Sequence, residues 1–389
     1  MNADKDDYMK TASIVRAMGV LPILACAGVC LAAPAGSGPL SGADLAGASL
    51  NRGIAHVAKG DYDLAIRDFD EAIRDRPDLA SAFENRCRAY HHQHDDARAL
   101  PDCEQAIRLD PKAAQPLYGR GSIRLHAGDY DRAMLDFEQA IRLDPNLALA
   151  YAGRGFVYLK RRQYDQAIQE YGKALRLGPS GDLYYNRGWC YMQKPDYESA
   201  IRDFDQAIRL DPKLAQAYRV RAAAYFERGR YDEAIQDYGQ TLRLAPDPGA
   251  YYNRGRCYLR QGHYGRAMPD FDQAVRLAPN VAAAYSGRAY AHTKRYEYDQ
   301  AIQDYDHALR LSPGADDYYS RGWAYYQKGA YVFAFRDFAR ASWLRPAILG
   351  RWIWTPLLPA LWLVSALLRR RKAKQAESNG TVVPDAARV

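Results

Sequence analysis

The sequence predicts an all-α solenoid of nine antiparallel helix pairs, with a hydrophobic helix at each terminus. Three observations predict it. One arginine recurs at near-constant spacing, each interval carries two amphipathic helical stripes, and a proline closes every interval. The arginines are Arg52, Arg86, Arg120, Arg154, Arg187, Arg221, Arg254, Arg288 and Arg321, spaced by 34, 34, 34, 33, 34, 33, 34 and 33 residues. Such a period belongs to stacked helix–turn–helix units held by nearest-neighbour contacts, so the nine units count as one extended domain.

Residues 9–35 open the chain with Lys10 and Arg16, an apolar run from Ala17 to Leu31, and a small-residue Ala33-Pro34-Ala35 site. This is the layout of an export signal or an uncleaved signal anchor within 1–35. Asp4, Asp6 and Asp7 are foreign to such a leader, and Met9 is an alternative start. Acylation at Cys26 is disfavoured by the leucine two positions before it, and an amphipathic or disordered leader is the remaining reading. Residues 36–45 read as a Gly/Ser/Ala/Pro linker.

The repeats occupy 46–346, and Leu183–Pro212 displays their grammar. Its first half places Tyr184, Trp189 and Met192 at helical spacing, and its second half places Tyr197, Ala200, Ile201, Phe204, Ala207 and Ile208. The second series follows i, i+3, i+4, i+7, one face of a helix. The turn between the halves is Gly60, Gly128, Gly229, Gly262 or Gly329 in five units, often followed by an Asp able to cap the next helix. Pro77, Pro111, Pro145, Pro179, Pro212, Pro246, Pro279, Pro313 and Pro346 end the units, because proline cannot continue a helix interior. Small residues mark a close helix crossing. Ala65 and its eight equivalents lie on the second helix, opposite Gly53, Gly121, Gly155, Gly188, Gly255 and Gly322, with Cys87, Ala222 and Ala289 in the other three units.

At these residues the chain resembles the tetratricopeptide repeat family across about 46–346. The resemblance implies a right-handed superhelix whose first helices line a concave groove that binds a partner's extended peptide or helix. One departure is consistent: the seventh position, Leu in the family pattern, is always Arg here. Sixteen residues later comes an acid in every unit: Asp68, Asp102, Asp136, Glu170, Asp203, Asp237, Asp270, Asp304 and Asp337. This pairing predicts an intra-repeat ladder of ion pairs suited to the planar fork of arginine. A basic stripe reading an anionic ligand would need those arginines unpaired. The family's groove positions carry Tyr118, Tyr185, Tyr252 and Tyr319 at the fifth place. Phe156, Trp189, Tyr290 and Trp323 occupy the ninth, with Arg88 and Arg256, while Arg219, Arg260 and Lys160 add charge nearby. Aromatic anchors with interspersed arginine suit a peptide or an amphipathic helix; the competing reading packs some of these rings between first helices. The ninth position never carries the Asn of the carboxylate clamp, so a chaperone tail is not the expected ligand.

Beyond Pro346 the seventeen residues Trp352 to Leu368 are uncharged, a helical length of roughly 25 Å. Trp352 and Trp354 stand at one end and Arg369-Arg370-Arg371-Lys372 at the other, so 347–372 reads as a membrane-inserted helix with its basic end cytoplasmic. Pro356 and Pro359 keep open the alternative of a helix capping the last repeat. Residues 373–389 form a short polar tail, expected to be disordered. The two ends together predict a bacterial envelope protein anchored in the inner membrane, its repeats in the periplasm. The alternative is a cytosol-facing, tail-anchored receptor.

The net charge of +8 is uneven: 351–389 carries 7 Lys/Arg against 2 Asp/Glu, and 1–45 carries 3 against 4, leaving 44 against 40 over the repeats. So balanced a body is a poor polyanion binder, and nucleic acid is excluded as a partner. No catalytic set, phosphate loop, metal-spaced cluster or cofactor motif stands outside the repeat grammar, so the expectation is a protein-binding scaffold and not an enzyme. His91, His92 and His94 read as a solvated helix end. Cys190 and Cys257 are two repeats apart, too far to bond. Cys87 and Cys103 face each other in the second repeat, either as a disulfide in an oxidising compartment or as small core residues. A glycan held on the Tyr and Trp faces is a further reading of the groove.

Overall fold

The computed structural model describes residues 42–345, and every regular element among them is helical. In chain order the helices are α1 (Gly42–Lys59), α2 (Tyr62–Asp75), α3 (Ala80–His92), α4 (Asp96–Leu109), α5 (Ala114–His126) and α6 (Tyr130–Leu143). They continue as α7 (Ala148–Lys160), α8 (Tyr164–Leu177), α9 (Gly181–Gln193), α10 (Tyr197–Leu210), α11 (Ala215–Glu227) and α12 (Tyr231–Leu244). The last are α13 (Pro248–Arg260), α14 (Tyr264–Leu277), α15 (Ala282–Lys294), α16 (Tyr298–Leu311), α17 (Ala315–Gln327) and α18 (Tyr331–Leu344). These are the nine expected pairs. The chain divides after Ala224, within α11, into two compact units. The expected export signal, membrane segment 347–372 and tail lie outside the described residues. Among those described, no helix is long and apolar enough to cross a membrane.

The first helix starts at Gly42, inside the stretch read as a linker. Asp44 sits in its first turn, where the helix dipole favours an acid, and Ala46 and Ser49 are buried at i, i+3 spacing. The turns follow the sequence signals. Gly60, Gly128, Gly229, Gly262 and Gly329 all have φ between +73° and +84°, the left-handed conformation that ends a first helix. His94, Arg162 and Tyr296 hold the equivalent place with φ of 61°, 59° and 65°. Asp95, Asp129 and Asp196 cap second helices by accepting from the backbone N–H of Arg98, Arg132 and Ser199.

Eight of the nine repeats close around one ring. Phe69, Phe137, Tyr171, Phe204, Tyr238, Phe271, Tyr305 and Phe338 are buried on the second helices, and the nine alanines of the crossing are buried with them. A Cβ added at Gly53 would come within 2.4 Å of Phe69, and one at Gly188 within 2.8 Å of Phe204. At these two places a Cβ would force the ring to shift. The following repeat closes the other side: a Cβ at Gly153 would meet Phe137 at 2.6 Å, and one at Gly287 would meet Phe271 at 2.5 Å. In the second repeat both partners are cysteines, and Cys87 and Cys103 are bonded, with Cα atoms 5.4 Å apart.

Behind the rings runs the predicted ladder. Arg86, Arg187, Arg254, Arg288 and Arg321 each hold both oxygens of their own repeat's acid, at 2.6–2.9 Å. Arg52, Arg120 and Arg154 bond Asp68, Asp136 and Glu170. All nine acids are buried. The ladder also crosses between repeats, which the sequence reading did not foresee. Arg86 reaches Asp70 of the preceding unit and Arg221 reaches Asp205, both at 2.5 Å, and Arg288 and Arg321 reach Asp272 and Asp306. Each of these extra acids stands two residues after the ladder acid. Where that place holds Glu104, Glu138 or Gly172, the next arginine is held by its own repeat's acid. Aspartate at this place reaches across, and glycine has nothing to reach with.

Candidate functional site

The faces of the first helices follow from helical geometry. Residues i and i+4 share a side, while i+2 points away from both. With Arg187 tied down behind α9, Tyr185 and Trp189 therefore stand together on its other side. Tyr118, Tyr185, Tyr252 and Tyr319 are partly buried. Their rings lie 6.0, 5.9, 6.1 and 5.4 Å from Phe137, Phe204, Phe271 and Phe338 of their own second helices. These contacts lie within each pair and cover one side of each ring. Phe156 is buried at 7% exposure, Trp189 is partly buried, and Tyr290 and Trp323 are exposed at 40% and 37%. Trp323 stacks on Tyr326 at 5.6 Å, extending its apolar surface.

The cations are seated on this aromatic row. The guanidinium of Arg256 lies 4.6 Å from the ring of Phe226 and 5.6 Å from that of Tyr252. Lys160 lies 5.1 Å from Phe156, where burial lowers its pKa, and Lys294 lies 5.3 Å from Tyr290. Such contacts hold a cation over a ring face while leaving its outer N–H groups available. Arg88 donates to the Asn85 side chain, and Arg256 donates to Asn253 at 3.2 Å. The Nε of Arg88 is buried without a hydrogen-bond partner. Arg219 is partly buried and Arg260 exposed. Sequence reasoning missed the asparagines, although Asn85-Arg86-Cys87-Arg88 and Asn253-Arg254-Gly255-Arg256 repeat one signal: the first arginine joins the ladder and the second, i+3 from Asn, is steadied on the outer face.

The histidines form a bridge between repeats. Asp96 accepts from His91 at 2.6 Å and from His126 of the next repeat at 2.5 Å, and His92 stacks on Tyr62. No group of three or more His, Cys, Asp or Glu able to hold a metal occurs among the described residues. Cys190 and Cys257 are buried and free, and burial pushes each thiol up to about 12, so neither is a ready nucleophile.

Comparison with known proteins adds the family. A tetratricopeptide repeat model matches 50–114, 154–215, 196–251, 219–282 and 252–316, more than half of the chain. A second model, described as a TPR repeat, matches 121–161. No curated protein matches. Among solved structures, a repeat protein of Cytophaga hutchinsonii is 19% identical over 59% of this chain and 95% of its own, with a TM-score of 0.51. PilF of Pseudomonas aeruginosa is 18% identical over 55% and 98%, with a TM-score of 0.50. YrrB, a repeat protein with an unusual peptide-binding site, is 26% identical over 47% and 95%, with a TM-score of 0.44. Nine helix pairs, eight of them closed by a small residue against a buried ring, matched by the family's own model over most of their length, have one reading: the chain belongs to the tetratricopeptide repeat family.

Proposed function

We propose that this protein is a membrane-anchored, non-enzymatic scaffold that binds an extended peptide or helix of a partner protein along its first helices. The observation that carries the reading is the aromatic row with cations seated on it. Tyr290 and Trp323 offer exposed apolar anchors, and Arg88 and Arg256 are held in place by neighbouring asparagines. Rings and preorganised arginines of this kind dominate binding energy at interfaces. The test is a photocrosslinking amino acid placed at Tyr290 or Trp323 in the full chain, with Arg108 on a second helix as control. Partner adducts from the first two sites alone are the expected result. Equal labelling from Arg108, or retention of glycans in place of proteins, overturns the reading.

The same proposal places the repeats in the periplasm of a bacterial envelope, between the N-terminal apolar run and the 347–372 segment. The Cys87–Cys103 bond supports it, because structural disulfides persist in oxidising compartments. Reporter fusions after Gly178 and after Lys372 test the placement. Repeats outside with the tail inside are expected. Both on the cytoplasmic side replaces the envelope scaffold with a cytosol-facing receptor.

A further inference from the structure

The last second helix, α18, breaks the repeat pattern where it faces outward. Val332 stands where Asp63, Asp131, Asp165, Asp232 and Asp299 bond the end of the next repeat's first helix. Trp343 stands where all eight other units carry arginine, and it is 82% exposed. Phe335 occupies the place of Ile66, Met134, Ile201 and Ile302, which are buried, yet it is 43% exposed. Positions 332, 336, 340 and 343 share one side of a helix, so Arg336 and Arg340 stand among these apolar groups.

Beside this face lies a crevice of about 330 Å³ lined by Arg310, Arg321, Arg336, Arg340, Tyr318 and Tyr325, with Asp306 and Leu309. Four arginines meet two acids here: Arg321 holds Asp306 and Asp337, and Arg336 stands 3.8 Å from Asp337, which leaves Arg310 and Arg340 in excess. In three other units the arginine equivalent to Arg310 bonds a glutamine three residues earlier: Arg108 with Gln105, Arg243 with Gln240 and Arg276 with Gln273. Here that residue is His307, stacked on Tyr285 at 5.4 Å. Arg340 replaces the glutamine of the last unit itself, and its guanidinium lies 5.6 Å from the ring of Tyr318.

We propose that this face of α18 docks on an anionic lipid bilayer, with the arginine crevice receiving lipid phosphate and Trp343, Val332 and Phe335 entering the headgroup region. Arginine offers phosphate a fork of donors, and aromatic side chains favour the bilayer interface. The course of the chain agrees: α18 ends at Leu344, and the uncharged stretch 352–368 begins eight residues later. The inference rests on the membrane-anchored reading and deepens it, because it assigns the last repeat a lipid-facing side.

The test is hydrogen exchange in α18 of the full chain, with vesicles of phosphatidylcholine alone or containing phosphatidylglycerol. Exchange should slow only with the anionic lipid. Arg336→Gln with Arg340→Gln should lower the docked-to-free ratio about thirtyfold, about fivefold per charge. Removing the same charge at Arg108 and Arg142 should leave it unchanged. Trp343→Ala alters only an exposed side chain, keeps the test open if the double variant fails to fold, and should also weaken docking. If the chain sediments with both vesicles and α18 exchanges equally in both, docking is overturned while anchoring stands. If it sediments with neither, both fall. Protection without lipid that grows with protein concentration, or that follows added polyglutamate, gives the face to a second copy or to an acidic partner and overturns the proposal.

Discussion

Replacing Arg187 by Leu, the residue usual in the family at this place, should destabilise the protein by about 3 kcal/mol although it makes the helix crossing more apolar. Arg187 donates to both oxygens of Asp203 at 2.7 Å, and no acid of the preceding repeat shares it, since the reaching position there is Gly172. The Arg187→Leu change would leave the Asp203 carboxylate, in a residue only 5% exposed, with both of these donors removed. Breaking one side of a buried pair costs about 3–5 kcal/mol, and the lower end applies because the arginine side chain is 22% exposed and water can follow it in. Asp203→Ala alone frees a cation that can turn to solvent and should cost about 1–2 kcal/mol. The double variant should recover most of the loss, because apolar replacement of a whole buried pair is close to neutral. Urea denaturation of all four proteins, followed by circular dichroism, gives the cycle directly. An Arg187→Leu protein within about 0.5 kcal/mol of the parent, or a double variant no better than that single one, would show that the ladder contributes nothing to holding the pairs.

Three further outcomes follow from the interior. Tyr171→Phe should stabilise by about 1–2 kcal/mol, since the Tyr171 hydroxyl is buried without a partner and other repeats already carry Phe there; a lower melting temperature refutes this. Reducing Cys87–Cys103 should cost about 3 kcal/mol, and Cys87→Gly with Cys103→Phe should recover part of it by restoring the arrangement of the other repeats, both read by melting with and without reductant. Stability should fall as pH drops from 6.5 to about 4. Burial, with help from neighbouring His91, Arg88 and His94, lowers His92 to about 4. The unfolded chain therefore binds a proton in that window that the folded chain does not, and stability rises with pH across it. His92→Asn should flatten this part of the profile, and an unchanged slope would remove His92 as its source.

Most of the architecture was legible because its signals are local and repeated. The turn glycines, the closing prolines and the small-residue crossing each mark a position within one unit, and nine copies average out the exceptions. The Arg–acid pairing was legible for the same reason. What escaped the sequence lies between units. Asp70, Asp205, Asp272 and Asp306 look like ordinary surface acids until the next repeat's arginine is set beside them. The tyrosines of the fifth groove position read as open anchors, but each leans on its own repeat's phenylalanine, a contact set by how the two helices cross. The start of α1 at Gly42 was hidden because Gly, Ser and Ala compose both linkers and closely packed helices.

The ladder and the proposed binding face are two sides of each first helix. A leucine at the seventh position would hold the first helix by burial, which is non-directional and tolerates rotation about the helix axis. A bidentate arginine bonded to one acid in its own repeat, and in four cases to another in the preceding repeat, fixes that rotation. The fifth and ninth residues lie on the other side, so fixing the ladder fixes where Tyr185 and Trp189, or Tyr319 and Trp323, project. On the proposed function, a partner would meet rings whose positions are set before it arrives, which lowers the ordering cost of binding. Arg254→Leu, remote from any contact with a bound peptide, should therefore weaken binding through Tyr252 and Arg256 and speed amide exchange in α13. Unchanged affinity in a folded Arg254→Leu protein would separate the ladder from recognition.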